Sequence, residues 1–192
     1  MSIIVEKTIT ETFLRRVRTT PNAVGFQFKP SYVELGAVGE WKQLTFKEIY
    51  FTCRFIAYGL IHLGVKKGDR VALLSGTRVE WSLCDMAILG AQGVTVPIYS
   101  SSASGDVSYI LNHSEARILI VEDSSQLQKV LTEKENHPDL FPNLAKIIVI
   151  EPSSMALAAR SPAQAKNILT LQALRELGKR AEAKSPELFD QN

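Results

Sequence analysis

Between Arg70 and Glu151 the sequence repeats one arrangement: a short, nearly uninterrupted apolar run, a turn, then a longer segment with apolar residues at helical spacing. The apolar runs are RVALLS (70–75), VTVPI (94–98), ARILIVE (116–122) and KIIVIE (146–151). Runs of this length without polar alternation suit strands buried on both faces of a parallel sheet. The intervening segments predict helices over about 79–92, 107–112 and 123–135, and a crossover helix is what two parallel neighbours require. Strand, helix, strand at this spacing implies right-handed crossovers. The expected fold class is α/β: a mostly parallel sheet with helices on both faces.

The preceding residues read differently. ITETFLRRVRTT (9–20) puts Ile9, Phe13, Leu14 and Val17 on one face of a short helix that Pro21 stops. Two extended segments, Ala23 to Phe28 and Gly39 to Leu44, flank a stretch with Pro30 and Gly36, the pattern of an N-terminal hairpin or two edge strands. A longer helix is expected from Thr45 to Leu63. Thr45 and Glu48 form a capping box, and Leu44 can staple onto Ile49. Its stripe of Phe46, Ile49, Tyr50, Cys53, Ala57, Leu60 and Ile61, widened by Phe51, Phe55 and Tyr58, predicts burial between two layers. Gly64 sits where a left-handed C-terminal cap is wanted, with Val65 as its apolar partner.

Further signals mark the later boundaries. Lys67-Gly68-Asp69 makes a turn, Gly93 ends the helix after the first apolar run, Ser102 caps the next, and Asp123 with Gln126 offers a second capping box. The Ala- and Ser-rich stretch after Pro152 predicts a mobile surface loop. Leu169 to Ala183 predicts a last helix capped by Thr170, with Leu171, Leu174 and Leu177 on one side. The expected units are 1–65 (helix, hairpin, long helix), 66–151 (parallel-sheet subdomain), 152–168 (loop) and 169–192 (helix and tail).

Composition removes several function classes. With 45% hydrophobic and 22% charged residues the chain is an ordinary globular sequence. Its 22 Lys and Arg against 20 Asp and Glu leave a net charge of +2, too weak a field to attract nucleic acid. Cys53 and Cys84 fall inside apolar helical patterns and read as buried hydrophobes in a reducing compartment. His62, His113 and His137 have no Cys or second His at metal-ligand spacing. The N-terminus lacks a secretory pattern, and no apolar run nears the roughly 18 residues that span a bilayer. A cytoplasmic location is the expectation.

In an open parallel sheet, ligands bind beyond the carboxyl ends of the strands. Two turns there precede helices: Ser75-Gly76-Thr77-Arg78, and Tyr99 followed by Ser100 to Asp106. Helix-start amides could hold an anion at either. Neither has a phosphate-loop pattern, and the Gly59 and Gly64 pair closes a helix instead of opening one. The competing reading makes both hydroxyl-rich turns, with Arg78 in an ion pair, Trp41 and Trp81 as packing residues, and Glu122-Asp123 as a cap. No nucleophile, base and orienter combine. No catalytic, cofactor-binding or metal-ligating residue is assigned.

The order of segments carries more information. WKQLTFKEIY, then GLIHLGVKKGDRVALLSGTRVEW, then ILGAQGVTVPIYSSSASGDVSYILNHSEARILIVED resembles the N-terminal part of the adenylate-forming AMP-binding superfamily. QLQKVLTEKENHPDLFPNLAKIIVIE looks like the branch containing long-chain fatty-acid CoA ligases. The likeness runs from about Ile9 to Gly178, strongest at Gly68-Asp69-Arg70-Val71, Glu80-Trp81, Pro97-Ile98-Tyr99 and Tyr109-Ile110-Leu111. Thr77 and Val79 stand where the family commonly has Asn and Pro, and Gly105 where it has an acidic residue.

The resemblance implies part of an AMP-binding enzyme's N-terminal domain. In the full-length enzyme a fatty-acid carboxylate would attack the α-phosphate of ATP, with Mg²⁺ and basic groups stabilising the developing charge. CoA thiolate would then displace AMP. The family's Ser/Thr/Gly loop ending in Pro-Lys-Gly, its Tyr-Gly-x-Thr-Glu and Thr-Gly-Asp segments and its C-terminal lysine have no match in these 192 residues. The expectation is a leading segment that stops before the ATP loop, is inactive alone and holds no cofactor. In some such ligases the loop and helix after the third strand lie near CoA, and Lys129 is the cation there. Fatty acid, ATP and CoA are the implied partners of the full-length enzyme. Peripheral membrane contact of the parent and a homodimer through surface exposed by truncation stay open. Two alternatives also stay open: a self-contained, non-enzymatic α/β binding or scaffold domain using the Ser100 to Gly105 turn, and an aryl- or amino-acid-activating member of the superfamily.

Overall fold

A computed structural model describes residues 8–30, 39–158 and 165–183. The described residues begin with α1 (Ile9–Thr19), then β1 (Val24–Phe28) and β2 (Lys42–Thr45), which pair antiparallel as a hairpin. α2 (Phe46–His62) leads into the main sheet. There β3 (Arg70–Leu74), α3 (Val79–Gly90), β4 (Val94–Ile98), α4 (Ser104–His113), β5 (Ile118–Val121), α5 (Ser124–Asn136) and β6 (Lys146–Val149) alternate. A 3₁₀ turn (Pro152–Ser154), the single-turn α6 (Met155–Ala158), β7 (Ile168–Thr170) and α7 (Leu171–Glu182) complete the described residues.

All five main-sheet strands are parallel, in the order β4-β3-β5-β6-β7. The chain first steps from β3 to β4 and then crosses back over β3 to β5. Because alternate residues of a strand face opposite ways, the sheet feeds two cores. Val71, Leu73, Ile118, Ile120 and Ile148 pack with buried residues of α1, α2, α3 and α7. Ala72, Leu74, Leu119, Val121, Ile147 and Val149 pack with those of α4 and α5. Near-continuous Val, Ile and Leu in the strands follows from burial on both faces.

α2 is the centre of the first core. Its capping box forms as the sequence predicts: the Glu48 amide donates to Thr45 Oγ1 (3.3 Å), and the Thr45 amide donates to Glu48 Oε2 (2.8 Å). Gly64 has φ +90, and the Val65 amide donates to the Leu60 carbonyl, closing the helix. α7 crosses α2 at two glycines. A Cβ at Gly59 would lie 2.5 Å from the Leu174 carbonyl oxygen, and one at Gly178 would overlap the Phe55 carbonyl. Gly178 is accordingly buried and Leu177 only half-buried, so the predicted leucine stripe turns at that crossing. Arg54 Nε pairs with Glu182 Oε1 across the same two helices.

Several expected boundaries move. α1 packs through Phe13 and Leu14 and leaves Ile9 71% exposed. It also has a capping box at Thr8 and Glu11 that the stripe alone does not announce. Phe51 lies off the buried stripe of α2 and is 42% exposed. After α3 the left-handed residue is Gln92 (φ 60), while Gly93 serves where a Cβ would press on Ile88 Cγ2 at 3.1 Å. Ser102 does not cap α4; the N-cap is Ala103, with no side-chain bond. At α5 Asp123 caps the Gln126 amide at 2.9 Å, but Gln126 Oε1 has no partner, so only half of the predicted box exists. The segment after Pro152 is not a loop throughout: Ser154 is fully buried, and Met155 and Leu157 pack on the second core. Ile168 to Thr170 adds a fifth strand, which moves the helix start from Leu169 to Leu171, with Thr170 as its cap. Gly36 and the tail KSPELFDQN lie outside the described residues.

Candidate functional site

The carboxyl ends of β3 and β4 bring both sequence-predicted turns to one place. Ser75, Gly76, Thr77 and Arg78 face Tyr99, Ser100 and Ser101 across a cavity of about 620 Å³ walled by Trp81 and Pro97. Parallel pairing of Leu74 with Ile98 ends the two strands level, so their turns open side by side.

The anion held by the first turn is the protein's own. The Gly76 amide donates to Glu122 Oε2 at 2.7 Å, and Ser75 Oγ lies 3.4 Å from the same oxygen and 3.0 Å from the Gly76 carbonyl oxygen. The Arg78 guanidinium binds three carboxylates: Nε to Glu80 Oε2 at 2.7 Å, and Nη1 to Glu122 Oε1 and Glu151 Oε1 at 3.1 Å each. These acids come from α3 and from the ends of β5 and β6. Arg78 thereby ties three strand ends and one helix start together. Burial alone would pull the Arg78 guanidinium down, but Glu80, Glu151 and Glu122 carry it above the ordinary arginine range. One guanidinium is thus shared among three acids.

Glu122 is therefore a member of this cluster and not part of the cap, which Asp123 forms alone. A signal for this was present in the sequence. Two of the apolar runs end in Glu, and strand ends in a parallel sheet share one edge, so Glu122 and Glu151 were candidates for the same edge as the turn after β3, with strand order left to decide whether they meet it.

Lys129 is engaged as well. Its Nζ donates to the carbonyls of Ser100 and Ser102, 2.8 Å each, pinning the second turn from α5. Ser100 and Ser102 thus turn backbone acceptors to a cation of the fold. Trp81 is partly buried against the first core. Trp41 is 61% exposed, with Lys29 Nζ 5.3 Å from its ring centroid, so it is an exposed hairpin residue and not a packed one. Cys53 and Cys84 are free and buried; burial pushes the Cys53 thiol up to about 12 and Cys84 higher still.

The cavity lining is therefore hydroxyl-rich, and Arg78 within it and Lys129 beside its second turn already have partners. These residues do not fit a triphosphate or its Mg²⁺. Arg78, which lines the cavity, is already bound to three acids and is not free for the first, and no set of three His, Cys, Asp or Glu among the described residues is placed for the second. No helix among the described residues is long and apolar enough to cross a membrane.

Residues 13–187 match the family described as AMP-binding enzyme. Over 92 residues the chain is 45% identical to the long-chain-fatty-acid–CoA ligase FadD15 of Mycobacterium bovis, covering 48% of this chain and 15% of that protein. It is 26% identical over 173 residues to the long-chain-fatty-acid–CoA ligase ACSBG1 of Rattus norvegicus, covering 88% of this chain and 22% of that protein. The match thus spans less than a quarter of these relatives' own length. Among solved structures, coronafacic acid ligase from Pectobacterium brasiliense superimposes with a TM-score of 0.67 at 18% identity, covering 87% of this chain and 29% of that one. The N-terminal domain of FACL13 from Mycobacterium tuberculosis gives a TM-score of 0.64 at 24% identity, covering 83% and 37%. At such identities the structural likeness shows a shared fold.

Proposed function

The chain belongs to the AMP-binding enzyme family, and from that premise we propose that it forms the N-terminal scaffold of a long-chain fatty-acid CoA ligase. The substrates in this reading are a fatty acid, ATP and CoA, joined through an acyl-adenylate. Sequence kinship to long-chain fatty-acid CoA ligases supports the substrate class. One structural observation supports the scaffold role: Arg78 and Lys129, cations at the strand ends, are bound by the fold's own carboxylates and carbonyls.

In this reading the 192 residues do not activate an acid unaided. They hold a rigid sheet edge, with Arg78 fixing the ends of β3, β5 and β6 against one another and Lys129 fixing the turn after β4. Nucleotide chemistry belongs to motifs that these residues do not carry. ATP–pyrophosphate exchange with palmitate tests this. The isolated chain should show no fatty-acid-dependent exchange, and any exchange above background overturns the scaffold role. Calorimetric titration with ATP, AMP, CoA and inorganic phosphate should give no saturable heat at the strand-end cavity. Phosphate binding abolished by Ser100→Ala or Ser101→Ala would restore the anion-binding alternative.

A further inference from the structure

A groove between α1 and the start of α2 has a floor of Leu14, Val17, Tyr50 and Phe51, with Arg18 and Lys47 at its rim. It encloses about 560 Å³ and shares no lining residue with the strand-end cavity. Phe51 is the ring that α2 fails to bury, 42% exposed. Arg18 and Lys47 are exposed, and neither side chain has a hydrogen-bond or ion-pair partner among the described residues. No acidic side chain lines the groove. The acids of the same two helices, Glu11 and Glu48, close capping boxes instead.

α7 runs toward this groove. Leu174 meets α2 at Gly59, Gly178 meets it at Phe55, and Glu182 pairs with Arg54, so successive turns of α7 step back toward the start of α2. Arg54 Nη1 also donates to the Tyr50 hydroxyl, and Tyr50 lines the groove. The end of α7 is therefore two side-chain contacts away from it. Beyond Ala183 the sequence reads KSPELFDQN, in which Glu187 and Asp190 flank Leu188 and Phe189. The four residues from Ala183 to Glu187 reach at most about 14 Å, while Lys47 lies seven residues, about 10 Å, along α2 from Arg54. The acidic segment is thus within reach of both rim cations.

We infer that this groove docks residues 187–190 of the same chain, with Leu188 and Phe189 on the apolar floor and Glu187 and Asp190 against Arg18 and Lys47. Two acids match two unpaired cations, and two apolar side chains match a floor that runs only about one turn along each helix. A bare anion would leave Tyr50 and Phe51 facing water, and a long apolar chain would outrun the floor. The contact clasps the end of α7 onto α1 and α2, tying together three helices that share the first core. It involves no substrate and is independent of the ligase reading.

Disulfide trapping in the full 192-residue chain tests this. Asn22 is exposed and lines the groove, whereas Gln128 is exposed on α5, which packs on the other face of the sheet. Gln191→Cys is combined with Asn22→Cys in one variant and with Gln128→Cys in another; Cys53 and Cys84 are buried and do not compete. With oxidised glutathione the Asn22 pair should close within one chain about tenfold faster than the Gln128 pair. Adding Arg18→Glu and Lys47→Glu should slow that closure about fivefold, and adding Glu187→Lys and Asp190→Lys as well should restore it. Phe189→Ser should slow it too. The groove positions changed are exposed, and melting curves check that each variant folds; the comparison of the two cysteine pairs needs no charge variant at all. Equal rates for the two pairs overturn the inference. So does a rate indifferent to the first charge reversal, or one that the second reversal fails to restore. Cross-linked dimers in place of closed monomers would give the groove to a second copy's segment and overturn the contact within one chain.

Discussion

Arg78 shows how one residue can settle the meaning of a whole site. On the sequence it stands at a helix start after a strand, where a cation could meet phosphate. In the fold its side chain is 7% exposed and bound to Glu80, Glu122 and Glu151. Removing one partner of a buried ionic cluster leaves charge unpaired, at a cost of about 3–5 kcal/mol. Arg78→Ala should therefore lower stability by that order, here with three carboxylates left together. Urea denaturation of the two proteins measures it, and a loss under about 1 kcal/mol would show that the cluster is solvated like a surface pair. Cys53 gives a second residue-scale outcome. Its thiol is buried and raised to about 12, so almost no thiolate exists near neutral pH. Neither cysteine should react with a thiol reagent in the native state, and both should react in denaturant.

At the scale of elements, the α2 start and the α2–α7 crossing make separate predictions. The Thr45 amide, and then its hydroxyl, hold the Glu48 carboxyl below the ordinary glutamate range. A depressed folded-state value contributes stability above the unfolded value and loses it as pH falls through the folded one. The capping contribution should fade below about pH 4.3, and Glu48→Gln should flatten that acid limb in melting curves. Thr45→Ala should cost about 1 kcal/mol at neutral pH. At the crossing, Gly178→Ala places a methyl group against the Phe55 backbone, which cannot rotate away as a side chain could. Overpacking of this kind costs about 1–3 kcal/mol or more. Alanine ordinarily favours a helix over glycine by about 1 kcal/mol, so a melting temperature that rises in the variant would refute the close packing.

Across the whole molecule, the order β4-β3-β5-β6-β7 decides which residues meet. The reversal between β4 and β5 leaves the ends of β3 and β5 adjacent, the place where open α/β sheets commonly hold a ligand. Here Glu122, reaching the Gly76 amide at 2.7 Å, fills that crevice. The cavity on the β4 side is lined by hydroxyls and aromatic rings, and a second, of about 430 Å³, opens over Glu122, Arg78 and Glu80 toward Lys29 of the hairpin. This is why the geometry supports a scaffold more than a nucleotide cradle, and why pyrophosphate exchange by the isolated chain is the decisive measurement at this scale.

Local chemistry made much of this legible in advance. Continuous apolar runs marked four of the five parallel strands, because burial on both faces leaves no polar alternation to hide them. Thr45 with Glu48, and Gly64 with Val65, marked the ends of α2, because caps are satisfied within a few residues. β7 escaped because three residues, Ile168 to Thr170, are too short to show a period. The functional reading of the strand ends also depended on distance along the chain. Arg78 lies 44 and 73 residues from Glu122 and Glu151, and Lys129 lies 29 and 27 from Ser100 and Ser102. The sequence by itself determined the α/β class and the family, since both rest on local patterns and their order. Only the tertiary structure decided that the first candidate anion turn is closed by Glu122 and that the carbonyls of the second are held by Lys129, because strand order brings those groups together.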